Sequence, residues 1–265
     1  MQLAAFASRY WPFANGSGRI LDRFGRDIDL GSGERLARTS DDFDIHVRAD
    51  DLIGRHILLS GKFDRSVVQI LLDAARAGDV MVDIGANVGY VSACFLKLVE
   101  RSSVVCVEPQ PGIVELLEKN MQPFGTRAQI HRVALSDREA DLRFRIDETN
   151  RGASKICDDG DLLVPAIDAA LFFAKLERVD LIKIDVEGHE EPIFRAIGPQ
   201  LERLKPRAIL FEDQGTGAGG VIGDLLKARG YAIFGIEKRL TRTSLAPVNS
   251  PADCRFNDYI ACLGT

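Results

Sequence analysis

From residue 64 to residue 236, short apolar segments alternate with segments of helical periodicity, and this alternation restricts the possible folds most strongly. Strands joined by helices pair in parallel, with helices on both faces of the sheet. We therefore predict an α/β fold with a mostly parallel seven-stranded sheet and one antiparallel strand near its edge. The strands are expected near 80–83, 103–107, 128–133, 180–185, 207–212, 231–236 and 257–263, and the helices near 90–99, 112–121, 190–197 and 221–229.

The remaining residues predict smaller units around this series. Residues 1–63 are punctuated by glycines and are expected to form an irregular N-terminal extension, with short strands at His46–Arg48 and His56–Leu59. Residues 64–265 then form the main domain, which begins with a helix that closes at Gly78. Alternating apolar residues over 141–147 predict one short outlying strand.

The segment 82–90 contains a glycine-rich turn between a strand and a helix. Its strand ends at Asp83, and its glycines, Gly85 and Gly89, allow the backbone to approach a ligand closely. Nineteen residues beyond Gly89, Glu108 ends the next apolar strand. An acid at this position can accept hydrogen bonds from both hydroxyls of a ribose, so the turn and the acid together predict a nucleoside site.

A second glycine pattern, GxGxxG, occurs at Gly215–Gly220 and gives an alternative. It follows a strand, precedes a helix, and has Glu237 twenty residues beyond Gly217, as a nicotinamide dinucleotide site would. Only 28 residues follow Glu237, too few for the second half of a dinucleotide fold, and Glu212 and Asp213 would repel a pyrophosphate. The other interpretation is a glycine loop at the rim of the site.

The turn at 82–90 and Glu108-Pro109 occur in order with Val-Ala-Leu-Ser-Asp at 133–137 and Asp-Leu-Ile-Lys-Ile-Asp-Val-Glu-Gly at 180–188. Over roughly residues 60–236 this set resembles the FkbM family of S-adenosylmethionine-dependent methyltransferases. The resemblance implies the Rossmann-like class I methyltransferase fold. We also expect the N-terminal extension to cover the cofactor and shape the acceptor pocket. Together with the physical reading of the turn, the resemblance implies these cofactor-binding residues: Asp83, Gly85, Ala86, Asn87, Gly89, Glu108, Ala134, Ser136 and Asp185.

Methyl transfer to a hydroxyl needs an aligned acceptor and removal of its proton. We predict His189 as the general base, because its ordinary pKa suits proton transfer near neutrality, and we add Asp185 and Glu187 as catalytic residues. Lys183 shares a strand face with Asp185 and is expected to form a buried ion pair. The prediction includes no metal site.

The same carboxylates allow an alternative that involves a metal. Those of Asp185 and Glu187, with Glu212 and Asp213 from the neighbouring strand end, could hold Mg²⁺ against the oxygens of a substrate. They could equally bind sugar hydroxyls without a metal.

The predicted function is therefore S-adenosylmethionine-dependent O-methylation of a sugar, glycolipid or secondary metabolite, the acceptor class being implied by the resemblance. An NAD-dependent oxidoreductase and a non-catalytic module with the same fold are the alternatives. The net charge of −5 argues against nucleic acid as a partner.

The bulk sequence also bears on location. No apolar run is long enough to span a membrane, although the apolar and aromatic residues 3–13 allow weak peripheral association with one as an alternative to a docked helix. The five cysteines lack CxxC spacing and predict reduced thiols in a cytoplasmic protein.

Overall fold

The N-terminal region is more regular than expected. In a computed structural model that describes residues 2–12, 15–25, 28–147, 150–213 and 217–264, it forms α1 (Gln2–Arg9), α2 (Ser17–Phe24), β1 (Glu34–Arg38), β2 (Asp44–Arg48) and α3 (Leu52–Ser60). The strand predicted at 56–59 is wrong, because these residues belong to α3. The Asp51 side chain caps this helix by accepting the amides of Ile53 and Gly54, and Gly61 ends it with a positive φ of 77°.

The chain after α3 continues with α4 (Arg65–Ala74). It continues with β3 (Val80–Ile84), α5 (Tyr90–Leu98), β4 (Ser103–Val107), α6 (Pro111–Met121), β5 (Ala128–His131), β6 (Ala134–Ser136), β7 (Ala140–Arg145), β8 (Lys155–Ile156), β9 (Leu162–Asp168) and α7 (Ala169–Ala174). The last part contains β10 (Leu181–Ile184), α8 (Glu190–Leu204), β11 (Ala208–Glu212), α9 (Val221–Lys227), β12 (Tyr231–Arg239), β13 (Arg242–Pro247) and β14 (Asp258–Leu263).

The large sheet contains all seven predicted strands. Among the described residues it has eight strands in the order β13-β12-β14-β11-β10-β3-β4-β5. The run from β11 to β5 is parallel, and β14 lies antiparallel between β11 and β12. The eighth strand, β13, extends the sheet as a hairpin with β12. The expected α/β sheet with its antiparallel strand near the edge is confirmed.

The strands carry two apolar faces because successive side chains point to opposite sides. On one side Met81, Val104 and Cys106 join the core made with α4, α5 and α6. On the other side Val82 and Val105 join the core made with α7, α8 and α9. The antiparallel pair β1 and β2 and the helix α3 pack into the first of these cores. Residues 34–60 therefore share a hydrophobic interior with the large sheet.

A second, four-stranded sheet has the order β6-β9-β7-β8, and its strand β7 is the outlying strand predicted over 141–147. Its own small core contains Ala134, Phe144 and Val164. None of the helices in the described residues is both long and apolar enough to cross a membrane. Of the apolar stretch 3–13, Phe13 lies outside the described residues.

Candidate active site

A cavity of about 280 Å³ lies at the carboxyl ends of β3, β4, β10 and β11, where ligands gather in open α/β sheets. Leu52, Ile53, Phe63 and Asp64 contribute from α3 and the segment before α4. The segment 150–156, which leads into β8 of the second sheet, contributes further lining residues. The remaining wall includes Gly85, Asn87, Glu108, Gln110, Ala134, Asp185, Glu187, His189, Glu212, Lys238 and Asp258.

Backbone hydrogen bonds to the end of β4 hold the glycine turn in place. The amides of Gly85 and Ala86 both donate to the carbonyl of Val107, at 2.9 and 3.1 Å. Gly85 has a φ of 76°, and a Cβ there would lie 1.8 Å from the carbonyl oxygen of Asp185. Glycine is therefore required because two strand ends meet at this point, a reason that the spacing of the motif does not reveal.

The Glu108 carboxylate is oriented by two backbone amides. Its Oε2 accepts the amide of Asn87 and its Oε1 accepts the amide of Gln110, each at 2.9 Å. Burial raises the pKa of Glu108 to about 7, although these two hydrogen bonds act in the opposite direction. Each oxygen keeps a further lone pair, so the carboxylate can accept two hydroxyl donors from a ligand in the cavity.

Gln110 was missed by the sequence analysis. Its side chain lines the cavity and is 2% exposed, and its Nε2 is a buried donor without a hydrogen-bond partner in the described part of the chain. A buried donor of this kind favours a ligand that supplies an acceptor. The residues therefore fit the nucleoside part of S-adenosylmethionine, with Glu108 accepting and Gln110 donating. The available signal was its place as the residue before Pro111, at the start of α6.

The predicted buried ion pair of Lys183 is confirmed. Its Nζ lies 3.2 Å from Asp83 Oδ1 and 3.5 Å from Asp185 Oδ2, and it donates to the carbonyl of Gly85 at 3.1 Å. Burial opposes the charge of Lys183, but the two carboxylates raise its pKa above the ordinary value. Asp83 itself is fully buried beneath the cavity, where Ser92 donates to its other oxygen. Its contact with a cofactor stays a prediction.

Carboxylates dominate the wall of the cavity at the ends of β10 and β11. Oxygens of Asp185, Glu187 and Glu212 lie within 4.8 Å of one another, a spacing at which a divalent cation could be held. Burial, together with Asp185, raises the pKa of Glu212 to about 9, so this side chain is protonated at neutral pH. Asp213 does not join them: it is buried, and its Oδ2 accepts the amide of Ala218 at 2.6 Å. Its predicted place in this carboxylate set is therefore wrong.

Asp258, Asp64 and Lys238 complete this wall and were also missed. Asp258 begins β14 directly opposite Glu212, because an antiparallel strand starts at the edge where its parallel neighbour ends. Lys238 Nζ bridges Asp64 at 2.8 Å and Asp258 at 2.7 Å. Burial and the nearby Asp64 raise the pKa of Asp258 to about 6. The positive charge of Lys238 is therefore paired with two carboxylates of the same wall.

His189 stands at the N-cap of α8, but its side chain makes no capping hydrogen bond. Instead its Nε2 lies 2.9 Å from Ser136 Oγ, which joins the loop after β10 to the end of β6. Burial lowers the pKa of His189 and favours its neutral form. Ser136 is buried, whereas Ala134 from the same strand lines the cavity.

The GxGxxG loop does not belong to this cavity in its described part, residues 217–220; residues 214–216 lie outside the described residues. A Cβ at Gly219 would lie 2.7 Å from Pro251 Cα and from Cys254 Sγ. Close packing against the turn before β14 therefore explains this glycine without a pyrophosphate.

The chain is similar to several known methyltransferases. Among solved structures, a TehB-like S-adenosylmethionine-dependent methyltransferase from Corynebacterium glutamicum aligns with a TM-score of 0.44 at 14% identity, covering 80% of this chain and 94% of that one. Hexuronic acid methyltransferase AglP of Haloferax volcanii is 25% identical over 53% of this chain, and 2-O-methyltransferase NoeI of Sinorhizobium fredii is 29% identical over 50% of it. These matches span 59% and 61% of the two relatives. The FkbM methyltransferase domain matches residues 83–233, more than half of the chain, and the chain therefore belongs to the FkbM family of S-adenosylmethionine-dependent methyltransferases.

Proposed function

We propose that this chain transfers a methyl group from S-adenosylmethionine to a hydroxyl of a sugar, or of a lipid or metabolite that carries one. The observation that supports this most is Asp185, a carboxylate that lines the cavity at the end of β10 and lies 3.5 Å from the buried Lys183. The printed names of AglP and NoeI, one for hexuronic acid and one for 2-O-methylation, are consistent with a sugar hydroxyl as the acceptor.

The cofactor side is assigned to the residues around the glycine turn. Bound S-adenosylmethionine supplies a methyl group already activated by its sulfonium. Glu108 accepts the ribose hydroxyls and Gln110 donates to the nucleoside. The turn formed by Gly85, Ala86, Asn87 and Gly89 surrounds the methionine part with Asp83 behind it, and Ala134 and Ser136 border the adenine.

The acceptor side is assigned to the carboxylates. Asp185 accepts the proton of the acceptor hydroxyl, while Glu187 and the protonated Glu212 hydrogen-bond the neighbouring hydroxyls. His189, predicted as the base, is the rival in this role. We favour Asp185 because His189 is engaged with Ser136, on the side of the cavity assigned to the adenine.

The wall also indicates the charge of the acceptor. Four of its side chains are carboxylates (Asp64, Asp185, Glu187 and Asp258) beside the protonated Glu212, and Lys238 is already paired with two of them, while the other cation of the cavity lining, Arg151, lies outside this wall on the segment before β8. A carboxylate or phosphate near the acceptor hydroxyl would be repelled at these distances. We therefore propose a neutral polyhydroxylated acceptor, not a nucleic acid and not a uronic acid.

The test of the base is transfer of a labelled methyl group to a panel of glycosides by Asp185→Asn and His189→Asn. Loss of a general base lowers kcat by about 100-fold or more, so we expect this for Asp185→Asn at saturating S-adenosylmethionine, and its affinity for S-adenosylhomocysteine tests the predicted contact of Asp185 with the cofactor. The matched control is Asp224→Asn, at an exposed aspartate on α9. If Asp185→Asn keeps its kcat and His189→Asn loses it, His189 is the base.

The panel pairs each neutral hexoside with the corresponding hexuronide. We expect kcat/KM to favour the hexoside by about tenfold or more, as one unfavourable charge contact of ~1.4 kcal/mol would give. Equal or reversed values would contradict the neutral acceptor. Calorimetry with S-adenosylhomocysteine and NAD tests the alternatives: binding of NAD alone would support an oxidoreductase, and binding without turnover on any acceptor would support a non-catalytic module.

A further inference from the structure

The exposed aromatic side chains of the described residues are concentrated in α1 and α2 and the turn after α1. Phe6 is 63% exposed, Tyr10 66% and Phe24 70%. The Phe6 and Tyr10 rings lie 4.6 Å apart and form one apolar unit on the surface. Exposed aromatic groups of this size on short helices are typical of surfaces that bind a partner.

Arginines are interleaved with these rings. Residues 2–25 carry Arg9, Arg19 and Arg23 against a single acid, Asp22, although the whole chain has a net charge of −5. The three arginines are exposed, and Asp22 is paired with His56 at 2.9 Å. The helices therefore present positive charge beside apolar rings, on a chain that is otherwise acidic.

The tip of the β12–β13 hairpin extends this surface. Asn15 lies between α1 and α2. Its side-chain Nδ2 donates to the carbonyl of Arg239 at 2.7 Å, and its backbone amide donates to the carbonyl of Leu240 at 3.1 Å. Leu240 is 51% exposed, and Arg239 and Arg242 flank it in exposed positions, with Arg239 paired to Glu237 at 2.9 Å. The tip thus repeats the combination of an apolar side chain with arginines and lies against the segment that joins the two helices.

This surface adjoins the acceptor side of the active-site cavity. Lys238, directly before the tip, lines that cavity and pairs with Asp64. A second cavity beside α2 is lined by Arg19 and Asp22 and shares Phe63 and Asp64 with the active site. A flat partner bound to α1, α2 and the hairpin tip would lie next to the acceptor wall.

We propose that α1, α2 and the hairpin tip 239–242 form a peripheral binding surface for an anionic lipid bilayer, which presents a lipid-linked acceptor to the cavity. Aromatic side chains enter the interface between headgroups and acyl chains, and the arginines are attracted by anionic headgroups. The binding surface stands on its own, whereas presentation of an acceptor rests on the proposed methyltransferase function.

The test is flotation of the full chain with vesicles of phosphatidylcholine alone and with vesicles of equal parts phosphatidylcholine and phosphatidylglycerol. We expect binding only to the anionic vesicles, and weaker binding at high salt. Reversing three charges in Arg9→Glu, Arg19→Glu and Arg23→Glu together should lower the vesicle affinity by about 100-fold or more, since each arginine contributes about fivefold. Equal binding to both vesicle types, or to neither, would overturn the proposal.

The apolar part is tested by Phe6→Ser, Tyr10→Ser and Phe24→Ser together, which should lower the affinity by about tenfold or more. The matched control, Leu163→Ser with Leu171→Ser, removes two leucines of similar exposure on β9 and α7 and should bind as the parent does. Gel filtration of the same proteins tests a second copy as the occupant: a dimer that the aromatic variant dissociates would overturn the lipid surface.

The Tm of each variant, measured by thermal denaturation, shows that it is folded. Vesicle binding without methyl transfer would leave the surface standing and contradict only the proposed enzyme activity.

Discussion

The two sides of the cavity are built in different ways. On the cofactor side, backbone groups hold the polar atoms in place: the Val107 carbonyl accepts two amides of the glycine turn, and the Glu108 carboxylate accepts the amides of Asn87 and Gln110. On the acceptor side, the carboxylates of Asp185, Glu187 and Glu212 crowd within 4.8 Å and are tolerated because Glu212 keeps its proton. The cofactor side therefore depends on the geometry of its backbone, and the acceptor side depends on the protonation of Glu212. Substitutions that change packing should affect the first side, and changes in pH should affect the second.

The strongest test of geometric control is Gly85→Ala. The added Cβ would lie 1.8 Å from the Asp185 carbonyl oxygen, and the φ of 76° would strain any other residue. We expect the free energy of unfolding to fall by about 3–5 kcal/mol and binding of S-adenosylhomocysteine to be lost in calorimetry.

Gly78→Ala is its matched control. Gly78 has nearly the same φ, 82°, but nothing lies within 4 Å of the added Cβ. This variant should lose only the ~1–2 kcal/mol of a left-handed alanine and bind S-adenosylhomocysteine normally. If Gly85→Ala behaves like Gly78→Ala, close packing of the turn is not what shapes the cofactor side.

A smaller effect is expected from Glu108→Gln, which keeps the shape of the side chain, removes its charge and replaces one of the two oxygens that accept the amides of Asn87 and Gln110 by a donor. Binding of S-adenosylhomocysteine should weaken by about tenfold or more, the scale of a lost charged hydrogen bond. Because the pKa of Glu108 is raised to about 7, the affinity of the parent should rise with pH through neutrality, and the variant should lack this rise. Calorimetry between pH 6 and pH 8 (about one unit on each side of that pKa) measures both, with the exposed Glu115→Gln as control. A flat profile in the parent would mean that Glu108 does not receive the ribose.

The same contrast explains which parts of the site were predictable from sequence. Glu108 and the glycine turn follow each other along one strand–turn–helix–strand unit, so their spacing carries the information. Asp258 and Lys238 come from strands whose neighbours depend on the order of the whole sheet, which no local pattern contains. The incorrect prediction of a strand at 56–59 has a different cause. It rests on the apolar residues alone and leaves out Asp51, the N-cap residue at which the helix begins.

The smallest effect tests protonation on the acceptor side through Glu212→Gln. The pKa of Glu212 is about 9 in the folded chain against an ordinary value of 4.5, so the folded state holds this proton more tightly. The resulting stability is complete below about pH 4.5 and is lost as the pH rises toward 9. Glu212 is partly exposed, and solvent screening leaves ~1 kcal/mol of this stability difference at pH 8. Glutamine mimics the protonated form, and we expect its Tm at pH 8 to exceed that of the parent by about 2–4 °C in a domain of this size. At pH 5 the two Tm values should nearly coincide. If the Tm difference between the variant and the parent does not depend on pH, Glu212 is not protonated in the folded chain. Another interaction would then have to hold the carboxylates of the acceptor side together.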